Sequence, residues 1–142
     1  MSNFSKFMKE NKKIKENTKY AATKSLCDEN GKPLEWTIKP LTSSENDIIR
    51  EECTVEVPIQ GKKGLYRQKI NNSKYVAKLI CASVVEPNLN DKALQDSYGV
   101  MTPEDLIKQM IDDPSEYNDF VSFIHEFNGF SSIDEKIEEA KN

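Results

Sequence analysis

The sequence is poor in the residues that chemistry most often needs. It has one histidine and one tryptophan, and its three cysteines, Cys27, Cys53 and Cys81, are far apart. No CxxC occurs and no histidine lies near a cysteine, which argues against a zinc site and against a disulfide framework. A reducing compartment suits such a chain. No run approaches the roughly 18 apolar residues of a membrane span. The opening "MSNFSKFMKENKKIKEN" has no apolar core of the kind a signal peptide needs. The phosphate-cradling pattern GxxxxGK[ST] is also missing. Apolar residues are only 37% of the chain, against 31% charged. The core must be modest, and a chain that completes its core on a partner would have the same composition.

What is present is charge, unevenly placed. Residues 1–24 sum to +5, residues 25–86 to zero, and residues 87–142 to −9. A basic head and an acidic tail can support head-to-tail self-association or steer a charged partner.

The apolar periodicity predicts an α+β fold: an N-terminal β-hairpin or small antiparallel sheet packed on helices, then a mostly helical C-terminal half. One domain is expected over residues 1–142, in three parts: a basic helix within 1–19, a hairpin-containing part over 20–70, and a helical part over 71–142. In the first part, Phe4, Phe7 and Met8 fall at i, i+3 and i+4, so a short amphipathic helix capped by Ser2 is expected. In the second, "CDENGKP" is a turn between "YAATKSL" and "LEWTIKP". Leu34, Trp36 and Ile38 alternate with polar residues, as in a strand buried on one face. Such a hairpin needs further strands or a helix against it. Thr42 and Glu45 have capping-box spacing, and the helix they start offers a narrow patch around Ile48, Ile49 and Cys53. Val55, Val57 and Ile59 alternate, but Pro58 confines them to an edge or a loop.

From residue 72 the pattern is wholly helical. Asn72 or Ser73 would cap a helix carrying Val76, Leu79, Ile80 and Val84, stopped by Pro87. A short helix ends at Gly99. Asp113 and Pro114 open the helix with the best stripe, Tyr117, Phe120, Val121, Ile124 and Phe127, which has the composition of core. Gly129 ends it. A last, acidic helix holds only Ile133, Ile137 and Ala140.

The stretch "PNLNDKALQDSYGVMTPEDLI", residues 87–107, has acids at close spacing, a glycine and then Thr102-Pro103-Glu104-Asp105. Set into a calcium-loop frame starting at Asp91, it puts Ala93 and Thr102 at ligand positions and Asp96 where glycine is required, so it fails. The helix-start frame accounts for every residue. Thr102 is an N-cap, Pro103 sits at N1, Glu104 and Asp105 lie on the positive end of the dipole, and Met101 can staple to Leu106. His125 lacks a nucleophile and an orienting group at any recognisable spacing. The pairs Glu51-Glu52 and Glu138-Glu139 point different ways on a helix. No catalytic residue, metal ligand or cofactor site is assigned. The basic tip with Lys62, Lys63, Arg67 and Lys69 around Tyr66 could grip a single strand of nucleic acid. The acidic balance of the whole chain speaks against that.

Taken together, "DENGKPLEWTIKPLTSSE", the block from "VPIQGKKGLYRQKINNSKYVAK" through "PNLNDKALQDSYGVMTPEDLIKQM", and the closing "EYNDFVSFIHEFNGF…EEAKN" resemble the XkdN-like tail assembly chaperones of phages and prophage tail elements in Gram-positive bacteria. The resemblance covers nearly the whole chain and lies in overall pattern, so no site residue transfers position by position. It implies a helper in the host bacterial cytoplasm that binds the tape measure protein, keeps its helices soluble, and is absent from the finished virion. It also implies that a longer, frameshifted product can exist. A structural tail component, such as a terminator or adaptor, and a small nucleic-acid-binding regulator are the other readings. A chaperone for apolar helices needs limited apolar stripes on a charged body. Phe4, Phe7, Met8, Ile133 and Ile137 are the candidate partner-binding residues.

Overall fold

A computed structural model describes residues 3–129. The strand around Trp36 is the centre of a small sheet. Strand β1 (Thr18–Tyr20) pairs antiparallel with β2 (Trp36–Ile38), with Thr18 opposite Ile38 and Tyr20 opposite Trp36. Between them the chain reverses at Asp28. Its Oδ1 accepts from the Asn30 and Lys32 amides, both at 2.9 Å, and Gly31 takes φ +80°. That is the aspartate-led turn the sequence predicts.

The other edge of β2 is covered by a strand that periodicity does not show. Helix α2 (Asn72–Ser83) ends short of the expected stop at Pro87, and β5 (Val84–Glu86) runs antiparallel to β2, giving the order β1-β2-β5. This corrects the expectation that the chain is wholly helical from residue 72. Two β-branched valines precede the Glu86-Pro87 step, and a residue before proline is pushed away from helical backbone. The N-cap of α2 is also one residue earlier than expected. Asn71 Oδ1 accepts from the Lys74 amide at 3.2 Å.

The N-terminal helix is replaced by two short 3-10 turns, Asn3–Phe7 and Lys9–Asn11. An α-helix here would set Lys9 beside Lys12 and Lys13 at i+3 and i+4, where like charges destabilise it. It would bury almost nothing in return, and short helices without tertiary packing are marginal. Ser2 lies outside the described residues.

The remaining elements follow their caps. Helix α1 (Ser43–Glu52) starts with a full capping box. Thr42 Oγ1 accepts from the Glu45 amide and Glu45 Oε1 from the Thr42 amide, both at 3.1 Å. Strands β3 (Thr54–Pro58) and β4 (Tyr66–Ile70) form a two-stranded ribbon, with Pro58 at its tip end opposite Tyr66. Helices α3 (Lys92–Ser97), α4 (Pro103–Met110) and α5 (Pro114–Asn128) are capped by Asp91, Thr102 and Asp113. Gly129 closes α5 in the left-handed conformation. The staple from Met101 does not form, since that side chain is 90% exposed.

The core has two parts. The larger joins the sheet to α2, α4 and α5 through Trp36, Ile38, Ile80, Leu106, Ile107 and Phe120. Trp36 meets Phe120 edge to face, with centroids 5.7 Å apart, and Tyr20 stacks on Phe123 at 4.2 Å. The smaller part, Ile49, Cys53 and Leu79, fixes α1 to α2 and the base of the ribbon. The architecture is α+β, with the strands in the first 86 residues and helices α3 to α5 after them.

Candidate partner-binding site

The residues singled out for partner binding lie on the strap that precedes β1. Phe4 is 78% exposed, Phe7 86% and Met8 53%, so none of them seals the core. The strap adds a residue that sequence reasoning passed over. Ile14, set among lysines, is 86% exposed. Its spacing of seven from Phe7 was the available signal, hidden by the charge around it. Ile133 and Ile137 lie outside the described residues.

Two anchors hold the strap and the segment after β1 to α5. Lys15 donates to the Phe127 carbonyl and sits 4.2 Å from the centroid of the Phe127 ring. A cation at the last carbonyls of a helix is where its dipole favours one, and the ring face adds a cation–π contact. Beyond β1, the Glu116 carboxylate accepts from the Thr23 hydroxyl and from the Lys24 amide, both at 2.8 Å. Glu116 sits at the third position of α5, where an acid can complete a capping motif with Asp113. It binds a distant segment instead, and Asp113 caps the Ser115 amide alone.

A groove of about 1040 Å³ runs along this strap. Its apolar lining includes Met8, Ile14 and Leu41, and its charged lining is Lys9, Lys12, Lys13 and Lys15 with one acid, Glu10. Asn128 at the end of α5 also lines it, and fixes its neighbour: Asn128 Oδ1 accepts from the Leu41 amide at 2.7 Å, while Nδ2 donates to the Ile124 carbonyl at 2.9 Å. Phe4 and Phe7 are not part of the lining.

The other candidates resolve into structure. In the 87–107 stretch, Asp91 Oδ1 accepts from the Leu94 amide at 2.9 Å, and Thr102 Oγ1 from the Asp105 amide at 3.1 Å. Gln95 donates to the Leu89 carbonyl at 2.8 Å, and Leu89 is buried. This stretch is a joint between helices. Along α5, Phe120 and Ile124 are fully buried, while Tyr117, Val121 and Phe127 pack against that core. Cys53 is buried, and burial raises its thiol pKa. Burial, with help from Glu104, pushes the Cys81 thiol up to about 12, the reverse of what a nucleophile needs. Among the described residues no group of three or more histidine, cysteine or acidic side chains could hold a metal ion. No described helix is long and apolar enough to cross a membrane. On the ribbon, Arg67 and Lys69 lie opposite Val57 and Val55, while Tyr66 lies opposite Pro58. Side chains alternate across a strand, so the aromatic ring and these two cations face opposite ways. That divides the basic tip as a nucleic-acid grip.

The strap gathers four exposed apolar side chains, Phe4, Phe7, Met8 and Ile14, beside a lysine-lined groove. Residues 4–141 match the model of the phage XkdN-like tail assembly chaperone proteins. The chain belongs to the XkdN-like tail assembly chaperone family. Two Bacillus subtilis (strain 168) relatives agree in extent. The phage-like element PBSX protein XkdN is 24% identical over 128 residues, which is 89% of this chain and 85% of the relative. The uncharacterized protein YqbN is 24% identical over 118 residues, covering 83% and 78%. The crystal structure of the protein YqbN shares the fold, with a TM-score of 0.75 at 20% identity over 92% of this chain and 98% of that one. The family match takes in both the strap and residues 130–141.

Proposed function

We propose that this chain is a phage tail assembly chaperone whose client is the tape measure protein, which it keeps soluble by reversible, non-covalent contact during tail assembly. It acts in the host bacterial cytoplasm and leaves before the virion is complete. The observation that carries the reading is the exposure of Phe4, Phe7 and Met8 on a lysine-rich strap, in a member of this family. Exposed aromatic side chains on a charged support give a client helix apolar contact without a large sticky patch on the chaperone itself. Several copies along a long client would add avidity without any strong single contact.

The test is co-expression with the cognate tape measure protein. The chain should move that protein into the soluble fraction, and Phe4→Ser/Phe7→Ser/Met8→Ser should reduce the effect severalfold while leaving the fold intact. Mass spectrometry of purified particles should find the tape measure protein and not this chain. Unchanged tape measure solubility with and without the chain would overturn the reading. Finding the chain in stoichiometric amount in particles would make it a structural tail component.

A further inference from the structure

Two exposed apolar features belong to neither the core nor the strap. The first is the outer face of the ribbon. Ile70 packs on the small core, and side chains alternate across a strand, so Val55, Val57, Arg67 and Lys69 turn to the opposite face. Ile59 and Leu65 extend that face toward the tip, where the Ile59 amide donates to the Leu65 carbonyl at 3.0 Å. None of the four aliphatic side chains joins either core cluster, and Val55 and Leu65 are exposed. A lone two-stranded ribbon is marginal in water, so a bare aliphatic face on one calls for cover. The second feature is Met101, at 90% the most exposed of the large apolar side chains described. It stands on the joint between α3 and α4, where residues 96–105 hold Asp96, Glu104 and Asp105 and no basic residue. Asp96 and Asp105 are exposed, while Glu104 pairs with Lys78 at 3.4 Å.

The two features match in charge as well as in apolarity. Residues 54–70 carry Lys62, Lys63, Arg67 and Lys69 against Glu56, and residues 87–129 carry nine acids against two lysines. Both features are open to solvent within one copy, so neither covers the other there. We propose that the Met101 joint of one copy seats on the outer face of the ribbon in a second copy. Met101 enters among Val57, Ile59 and Leu65, and Asp96 and Asp105 meet Arg67 and Lys69. A second copy is favoured over the client because the acidic complement is part of this sequence. The contact is heterologous, each copy lending one joint and one ribbon, so it repeats from copy to copy. Phe4, Phe7 and Met8 take no part and stay open to the client. The inference does not rest on the client reading: a chain that bound no tape measure protein would associate in the same way.

Sedimentation equilibrium of the full chain under reducing conditions tests it. At low salt the weight-average mass should climb above that of the monomer as concentration rises, and high salt should return it toward the monomer. Met101→Ser keeps the ribbon and Arg67→Glu/Lys69→Glu keeps the joint. All three positions are exposed, so both variants should retain the parent's circular dichroism. Each variant alone should stay monomeric. An equal mixture of the two should form a dimer and stop there, since one matched joint and ribbon remain. Adding Asp96→Lys/Asp105→Lys to the charge-reversed ribbon should restore that variant's association with itself. A parent that stays monomeric at low salt would overturn the proposal. So would a variant that keeps the parent's mass, or a mixture that remains monomeric, because the ribbon and the joint would then not be partners.

Discussion

Glu45 does two things at the start of α1. It closes the capping box with Thr42, and it pairs with Lys39 at 2.8 Å. Its carboxyl pKa is held below the ordinary 4.5, first by the Lys39 hydrogen bond and then by Thr42, with burial opposing. The unfolded chain therefore binds this proton more readily, and stability rises with pH through that range. The contribution is present above the ordinary value and is lost as pH falls through the lower folded value. Thr42→Ala should cost about 1 kcal/mol in urea unfolding at pH 7. Glu45→Gln keeps an N3 acceptor and loses the charge, so its deficit at pH 7 should shrink as the pH falls well below 4.5. A deficit that does not change with pH would mean the Lys39 pairing contributes nothing. The cysteines give a second residue-scale prediction. At pH 8 a thiol with a pKa of about 12 is ionised in roughly one molecule in ten thousand. Iodoacetamide at that pH should modify the native chain once, at Cys27, and all three thiols after unfolding, as counted by intact mass.

At the scale of the element, the caps were legible and the neighbours were not. Thr42, Thr102 and Asp113 each hold the amide their position predicts, because a cap is a bond between residues two or three apart. The Glu116 contact with Thr23 and Lys24 spans more than ninety residues, and no local pattern announces it. Glu116→Ala should lower stability by roughly 1–2 kcal/mol and remove hydrogen-exchange protection at the Lys24 amide. Thr23 itself keeps Ser25 as a partner, which limits the cost. The end of α2 shows the same limit on reading. Val84 continues the helical stripe in sequence, yet it pairs with Ile38, because the free edge of β2 is filled there. Ser83, at that junction, is buried with no hydrogen-bond partner for its hydroxyl among the described residues. Ser83→Ala should leave stability unchanged or raise it by up to roughly 1 kcal/mol. The N-terminal helix failed for the opposite reason. Its periodicity was present, but Phe4 and Phe7 stay exposed and supply no core contact among the described residues.

For the whole molecule, this separates what folds from what binds. The two core clusters draw on residues from Tyr20 to Phe127 and use none of the strap's apolar side chains. The +5 at the N-terminal end and the −9 at the other were visible in the sequence, and so was the exposure implied by so narrow an apolar patch. The groove was not visible, because the Pro40–Ser43 connection and Asn128 come to it from distant parts of the chain. A deletion of residues 2–13 keeps Lys15 on Phe127 and every buried core residue. Its unfolding free energy should therefore stay within about 0.5 kcal/mol of the parent, as for surface changes generally. The same deletion removes Phe4, Phe7, Met8 and three groove lysines, so its ability to hold tape measure protein in solution should be lost. Parallel urea titration and co-expression solubility decide the matter. Lost stability would make the strap part of the fold, and retained chaperoning would move the client surface elsewhere on the molecule.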